Sequence, residues 1–142
     1  MSLLLQIGFA QFGTKEIPGN EHNPEVLKYF TAADGPGSPS DETAWCSAFV
    51  NWCAMVSGLE RTKKLNARSW LNIGEVVNKP MPGDIVIFWR VDPKSWQGHV
   101  GIYVGESTNE IYVLGGNQGN QVNVSKYSKG MLLGFRRLNK IH

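Results

Sequence analysis

The sequence has 142 residues, of which 42% are hydrophobic and 18% are charged, as is usual for a globular domain. The formal net charge is only +2 and the basic residues are scattered, so binding to nucleic acid or to a membrane is not indicated. No apolar run reaches the roughly 18 residues that a membrane-spanning helix needs. We therefore expect a single domain over residues 1–142.

The first half of the chain is predicted to be helical. We expect helices over residues 2–12, 24–30, 44–57 and 66–73, and a Gly/Pro/Ser-rich loop over residues 33–42. Thr43 is the predicted N-cap of the third helix. That helix is apolar on almost every face, which predicts that it passes through the core.

The second half of the chain is predicted to form strands. Apolar segments indicate strands over residues 84–90, 99–106, 110–116, 121–127 and 131–137. The connections are short and most contain Gly or Asn, so consecutive strands should pair antiparallel. Helices followed by such a meander predict an α+β domain with a five-stranded antiparallel sheet.

Two cysteines, Cys46 and Cys53, lie on the third predicted helix. Seven helical residues separate them by roughly 10.5 Å, whereas a disulfide needs Cα atoms within about 7 Å, so we expect two free thiols. Cys53 lies deeper in the helix and is interpreted as a packing residue. Cys46 lies near the helix start, where unpaired N–H groups and the helix dipole favour a thiolate. Packing alone explains a cysteine at that position equally well.

A histidine and an amide are predicted to meet on neighbouring strands. His99 begins the second predicted strand, and Gly101 on the same face indicates the close approach of another backbone, for which the helix of Cys46 is the natural candidate. Counting across the hairpin places Asn117 opposite His99, to within one step of register, with Gln118 as the alternative. An amide oxygen there could accept the imidazole N–H and leave the other ring nitrogen to face the thiol.

Taken together, these residues resemble a known family. The segments DETAWCSAFVNWC, PGDIVIFWR, GHVGIYVG and VLGGNQ are similar to the CHAP and NlpC/P60 group of papain-like peptidases, and the similarity extends over most of the chain. The resemblance implies a papain-like α+β fold with the nucleophile at the start of the central helix. It also implies hydrolysis of peptidoglycan amide bonds, either between N-acetylmuramic acid and L-alanine or within the stem peptide or cross-bridge.

The resemblance also implies roles for single residues. By motif position, Cys46 is the nucleophile, His99 the base and Asn117 the orienting residue, with Gln118 as the alternative in the third role. No metal or cofactor is expected. Candidate substrate contacts are Trp45, Asp41, Glu42 and Trp70. A core role for the tryptophans and a helix-start role for the acidic residues are the competing interpretations.

Other functions stay open on the sequence alone. The same thiol could transfer an acyl group to an amine, as in an acyltransferase or transpeptidase, or the domain could bind the cell wall without hydrolysis. A structural zinc site made of Cys46, Cys53 and a histidine is a further alternative, although the sequence lacks the close CxxC or HxxxH pairs that such sites usually have.

The N-terminal segment MSLLLQIGFAQFG has no basic residue before its apolar patch and no A-x-A site, so it is interpreted as a helix and not as a signal peptide. Delivery to the cell wall by phage lysis or by a secretion system would suit such a chain, which would then act in the periplasm or outside the cell. The expected partner is peptidoglycan. A cognate inhibitor or immunity protein is expected if the protein is a secreted toxin, and we expect a monomer.

Overall fold

A computed structural model describes residues 2–15, 24–33 and 42–141, with side chains from residue 45 onward in the last segment. The α-helices are α1 (Leu3–Ala10), α2 (Pro24–Phe30) and α3 (Glu42–Val56), and 3₁₀ helices cover Ala67–Asn72 and Lys129–Met131. The strands are β1 (Glu75–Val77), β2 (Ile85–Trp89), β3 (Gly98–Glu106), β4 (Glu110–Gly115), β5 (Asn123–Ser128) and β6 (Leu132–Arg137). No helix in these ranges combines the length and apolar character needed to cross a membrane.

The strands form one antiparallel sheet in the order β1-β6-β2-β3-β4-β5. The prediction of a five-stranded meander is wrong in two respects. The sequence pattern misses β1, because three residues with one charged side chain carry no strand signal of their own. In addition, β6 does not pair with β5. The chain instead crosses the sheet through the second 3₁₀ helix, and β6 pairs with both β1 and β2.

Helix boundaries differ from the prediction mainly in the third helix. It begins at Glu42 and not at residue 44, so Thr43 lies inside the helix and is not its N-cap. The helix predicted over residues 66–73 is a 3₁₀ helix over Ala67–Asn72. The second helix has the predicted bounds. The loop predicted over residues 33–42 lies largely outside the described residues.

The sheet packs apolar side chains on both faces. Alternation along β2 sends Ile85 and Ile87 toward the larger core, which also contains α3 residues such as Phe49. Val86 and Phe88 point the other way, into a smaller cluster. Helix α3 packs against β3, so the helix that carries Cys46 and the strand that carries His99 are neighbours.

Candidate active site

Cys46 is buried on the second turn of α3, with 1% of its surface exposed. Because the helix begins two residues earlier than expected, Cys46 lies beyond the roughly four residues whose N–H groups lack helical partners. The helix dipole, which acts mainly within the first turn, therefore favours its thiolate less than predicted. Cys46 and Cys53 are both free thiols, as expected. Burial raises the pKa of the Cys53 thiol, which fits a packing role.

The His99 ring is held by two side chains. Its Nε2 atom lies 2.9 Å from Gln118 Oε1 and 3.1 Å from the hydroxyl oxygen of Tyr127. The Tyr127 ring stacks on the imidazole with centroids 4.8 Å apart, and Phe88 stacks on Tyr127 in turn. Burial lowers the pKa of His99 to about 4, with the Gln118 hydrogen bond partly opposing that effect. The imidazole is therefore neutral at neutral pH.

Hydrogen bonds around Gln118 determine which ring nitrogen carries the proton. The amide nitrogen of Gln118 donates to the carbonyl oxygens of Val113 and Asn123, at 3.1 and 2.8 Å, and to Asn123 Oδ1 at 3.0 Å. These acceptors fix the amide so that its oxygen faces His99. Because that oxygen can only accept, His99 Nε2 must be the protonated nitrogen. Nδ1 therefore keeps a lone pair that can accept a proton.

The amide that contacts His99 belongs to Gln118, the alternative, and not to Asn117, which was expected first. The register itself is close to the prediction, since Ile102 pairs with Leu114. However, β4 ends at residue 115, and Asn117 has a left-handed φ of 59°. The chain leaves the strand before it reaches the predicted position, and the turn over residues 116–120 brings Gln118 back to the ring.

Two glycines at the start of this turn link the histidine to α3. A Cβ on Gly115 would overlap Gln118 Oε1 and lie 3.4 Å from His99 Nε2. A Cβ on Gly116 would lie 2.9 Å from the Trp45 ring. The turn therefore approaches the His99 ring at Gly115 and the Trp45 ring at Gly116. Trp45 is the residue that precedes Cys46 in α3.

Cys46 also has an electrostatic influence on Tyr127, the residue whose ring stacks on His99. Burial is the main reason why the pKa of Tyr127 is raised, and the negative charge of a Cys46 thiolate raises it further. The predicted approach of α3 to Gly101 is wrong. A Cβ on Gly101 would meet the side chain of Val113 and lie 3.0 Å from the backbone oxygen of Leu114, so the close neighbour is β4.

Two of the predicted substrate contacts are core residues. Trp45 and Trp70 are both 0% exposed and belong to the larger hydrophobic core, which supports the packing interpretation of both rings. Trp70 Nε1 donates a hydrogen bond of 2.9 Å to Ser47 Oγ on α3, which explains its burial. Asp41 and the side chain of Glu42 lie outside the described residues.

A cavity of about 430 Å³, here called the His99 cavity, opens beside the imidazole. Asn117 and Gln118 line it, together with Tyr127 and Arg90, neither of which the sequence argument found. Along β5, Asn123, Ser125 and Tyr127 are partly buried and alternate with exposed residues. The sequence NVSKYS has no matching alternation of apolar and polar residues, so it carries no signal for Tyr127.

No group of three or more His, Cys, Asp or Glu side chains is placed to hold a metal ion within residues 2–15, 24–33 and 42–141. The described residues therefore offer no cluster that would support the alternative of a zinc site at Cys46 and Cys53.

Comparison with known proteins gives one family and several solved structures with a similar fold, two of which follow. The family model for the CHAP domain matches residues 38–117. The P60 domain of an antigen from M. avium paratuberculosis has a similar structure, with a TM-score of 0.54 and 13% identity, over 99% of this chain and 91% of that chain. A protein described as similar to lipoprotein, of the NLP/P60 family, from Staphylococcus aureus subsp. aureus Mu50 gives a TM-score of 0.53 and 17% identity, over 95% of this chain and 40% of that chain. No curated protein matches the sequence. The two solved structures confirm the predicted α+β papain-like fold.

Proposed function

Because the chain belongs to the CHAP domain family, we propose that it hydrolyses amide bonds of peptidoglycan with Cys46 as nucleophile and His99 as base. The family and its NlpC/P60 neighbours support a hydrolase that acts on peptidoglycan. The bond is either the N-acetylmuramoyl-L-alanine amide or a peptide bond of the stem or cross-bridge. The observation that carries the proposal is the orientation of His99, whose protonated Nε2 contacts Gln118 and whose Nδ1 is left basic.

The proposed reaction has two steps at the same carbonyl carbon of the substrate. The Cys46 sulfur first displaces the amine, and water then displaces the sulfur. His99 Nδ1 takes the proton of the Cys46 thiol, and the sulfur attacks the carbonyl carbon of the substrate amide. The imidazolium then gives that proton to the leaving nitrogen, the C–N bond breaks, and a thioester remains on Cys46. Water attacks the thioester while Nδ1 accepts its proton, which releases the carboxylic acid and returns the thiol.

Gln118 takes the orienting role in this proposal, in place of Asn117. Each displacement passes through a protonated imidazole that is 5% exposed, and burial makes that charge costly. The Gln118 oxygen offsets part of this cost because it accepts a hydrogen bond from Nε2–H, which strengthens when the ring is charged. Tyr127 stacks on the ring and limits its rotation.

Digestion of purified peptidoglycan tests the proposal. Intact sacculi and soluble muropeptides are incubated with the wild type and with Cys46→Ala under reducing conditions, and products are identified by mass spectrometry. Cys53→Ala is the matched control, because it removes the other buried thiol of the same helix. We expect new free amines from the wild type and from Cys53→Ala, but none from Cys46→Ala. The product masses would name the bond.

Failure of the wild type to cleave any wall type would contradict hydrolysis. A competing amine in the same assay separates hydrolysis from acyl transfer, because a transferase would join the acyl group to that amine with no release of free acid.

A further inference from the structure

One nitrogen of the His99 ring has two oxygen neighbours. Gln118 Oε1 lies 2.9 Å from Nε2, and the hydroxyl oxygen of Tyr127 lies 3.1 Å from the same atom. An amide oxygen can only accept a hydrogen bond, whereas a hydroxyl can donate or accept one. Because Gln118 fixes the proton on Nε2, the ring offers Tyr127 an N–H group at that atom and no lone pair. The Tyr127 oxygen is therefore an acceptor in this contact, and the two oxygens share one N–H.

The Tyr127 side chain is fixed in front of this N–H group. Its ring stacks on His99 with centroids 4.8 Å apart and an angle of 20° between the planes. Phe88 stacks on the Tyr127 ring with centroids 4.9 Å apart. The backbone of Tyr127 is paired with Ile111 of β4. A polar group that the fold holds in place needs no reorganisation when the charge beside it changes.

The Tyr127 hydroxyl keeps its own proton. Burial is the main cause that raises the pKa of Tyr127, and the negative charge of a Cys46 thiolate raises it further. The phenol is therefore neutral at neutral pH, and it neither takes the proton of the imidazole nor supplies one to it. Its oxygen acts on His99 as a fixed dipole.

The proposed reaction passes through a charged imidazole in each of its two steps. Burial lowers the pKa of His99 to about 4, so the folded protein disfavours that charged form. An acceptor oxygen at Nε2 interacts more strongly with the charged ring than with the neutral one. An interaction that strengthens only as the reaction proceeds raises kcat and leaves KM unchanged.

We propose that the Tyr127 hydroxyl is a positioning group that accepts a hydrogen bond from His99 Nε2–H, together with Gln118, and stabilises the charged imidazole in both steps. The inference rests on the proposed function and deepens it, because it adds a residue of β5 that acts on the reaction through His99. No further proton transfer is involved, since the hydrogen on Nε2 stays on the ring. Tyr127 and Gln118 thus divide the orienting role that the sequence assigned to one amide.

Tyr127→Phe tests this role, because it removes the hydroxyl and keeps a ring that can stack on His99. The parameters kcat and KM are measured with soluble muropeptides. We expect kcat to fall about tenfold with KM nearly unchanged, because a hydrogen bond to a charged group contributes roughly that much. Tyr112→Phe is the matched control. Tyr112 is a partly buried tyrosine of the neighbouring strand β4 outside the cavity lining, and its variant should keep the wild-type kcat.

The pH profile separates this role from simple packing. Loss of an acceptor for Nε2–H makes the charged ring less favourable, so the acid midpoint of kcat/KM should move to lower pH in Tyr127→Phe. If Tyr127 only excluded water, its variant would let the pKa of His99 rise toward 6.5, and the midpoint would move to higher pH. Gln118 and the charge of Arg90 also act on the ionisation of His99, and both remain in this variant.

A further measurement needs no variant. In the wild type with isotope-labelled histidine, nuclear magnetic resonance should find the hydrogen of the neutral His99 ring on Nε2. A hydrogen on Nδ1 would make Tyr127 the donor and overturn the inference. An unchanged kcat in Tyr127→Phe, or a midpoint that moves to higher pH, would also overturn it and leave the hydrolase standing. Failure of the wild type to cleave any wall preparation would overturn the hydrolase and this inference with it.

Discussion

Protonation of the buried His99 should destabilise the fold. In the native protein burial holds its pKa at about 4, compared with 6.5 for an exposed histidine. Between these two values the unfolded chain binds a proton that the folded chain does not. The free energy of unfolding therefore falls as the pH drops below 6.5, and the loss levels off below about pH 4. The difference between these two pKa values corresponds to a loss of about 3 kcal/mol in the free energy of unfolding.

Urea unfolding followed by tryptophan fluorescence measures this effect. The free energy of unfolding is determined for the wild type and for His99→Gln at about pH 7 and about pH 4. Both proteins contain the same ionisable groups apart from residue 99, so the difference between the two pH dependences isolates the contribution of His99. We expect the variant to be less stable at neutral pH, but to lose about 3 kcal/mol less than the wild type on acidification.

Parallel pH dependences in the two proteins would refute the reasoning. They would mean that water reaches the imidazole in the native state and that its pKa is close to 6.5. The base of the proposed mechanism would then be partly protonated at mildly acidic pH.

Three further changes probe the same cluster. As the pH is lowered, kcat/KM should fall with a midpoint near pH 4, because the reaction needs neutral His99. A midpoint near pH 6.5 in the pH profile would contradict a buried base. Gln118→Ala should lower kcat by about 100-fold, because misplacement of a catalytic group has effects of that order, whereas Asn117→Ala should cause a smaller loss. Muropeptide turnover decides between these two amides. Gly116→Ala should lower stability by about 2 kcal/mol, since its methyl would lie 2.7 Å from Phe49 Cβ. Thermal unfolding with an unchanged midpoint would show that the turn does not press on α3.

Much of the fold follows from local sequence patterns. The second helix was predictable because Pro24 starts it in front of a short apolar segment, and β2 to β4 were predictable from continuous apolar runs. Strand β1 was not predictable, since Glu75–Val77 is a strand only because β6 offers it a partner. The position of β6 depends on a crossover whose course is decided by pairing across the sheet, and short connections alone cannot indicate it.

The site was predictable where a residue type carries its own chemistry. A cysteine near a helix start and a histidine on a strand are visible as motifs. The choice between Asn117 and Gln118 was not predictable by counting, because it depends on where the chain enters the left-handed turn. Arg90 was hidden for another reason. The loop that follows it is held by hydrogen bonds from Arg68 to the backbone oxygens of Gln97 and Asp92, and Arg68 lies far away along the chain.

Strand β6 also determines when this domain can finish folding. It is the last of the six strands to leave the ribosome, yet it lies between β1 and β2 in the sheet. Until it emerges, the backbone groups along one side of β2 have no native partner, and β1 has no partner at all. A nascent chain stalled before residue 132 would thus present an open strand edge, which favours non-native pairing with other chains. The sheet cannot be completed until β6 has emerged, and binding by a chaperone would be needed most just before that point.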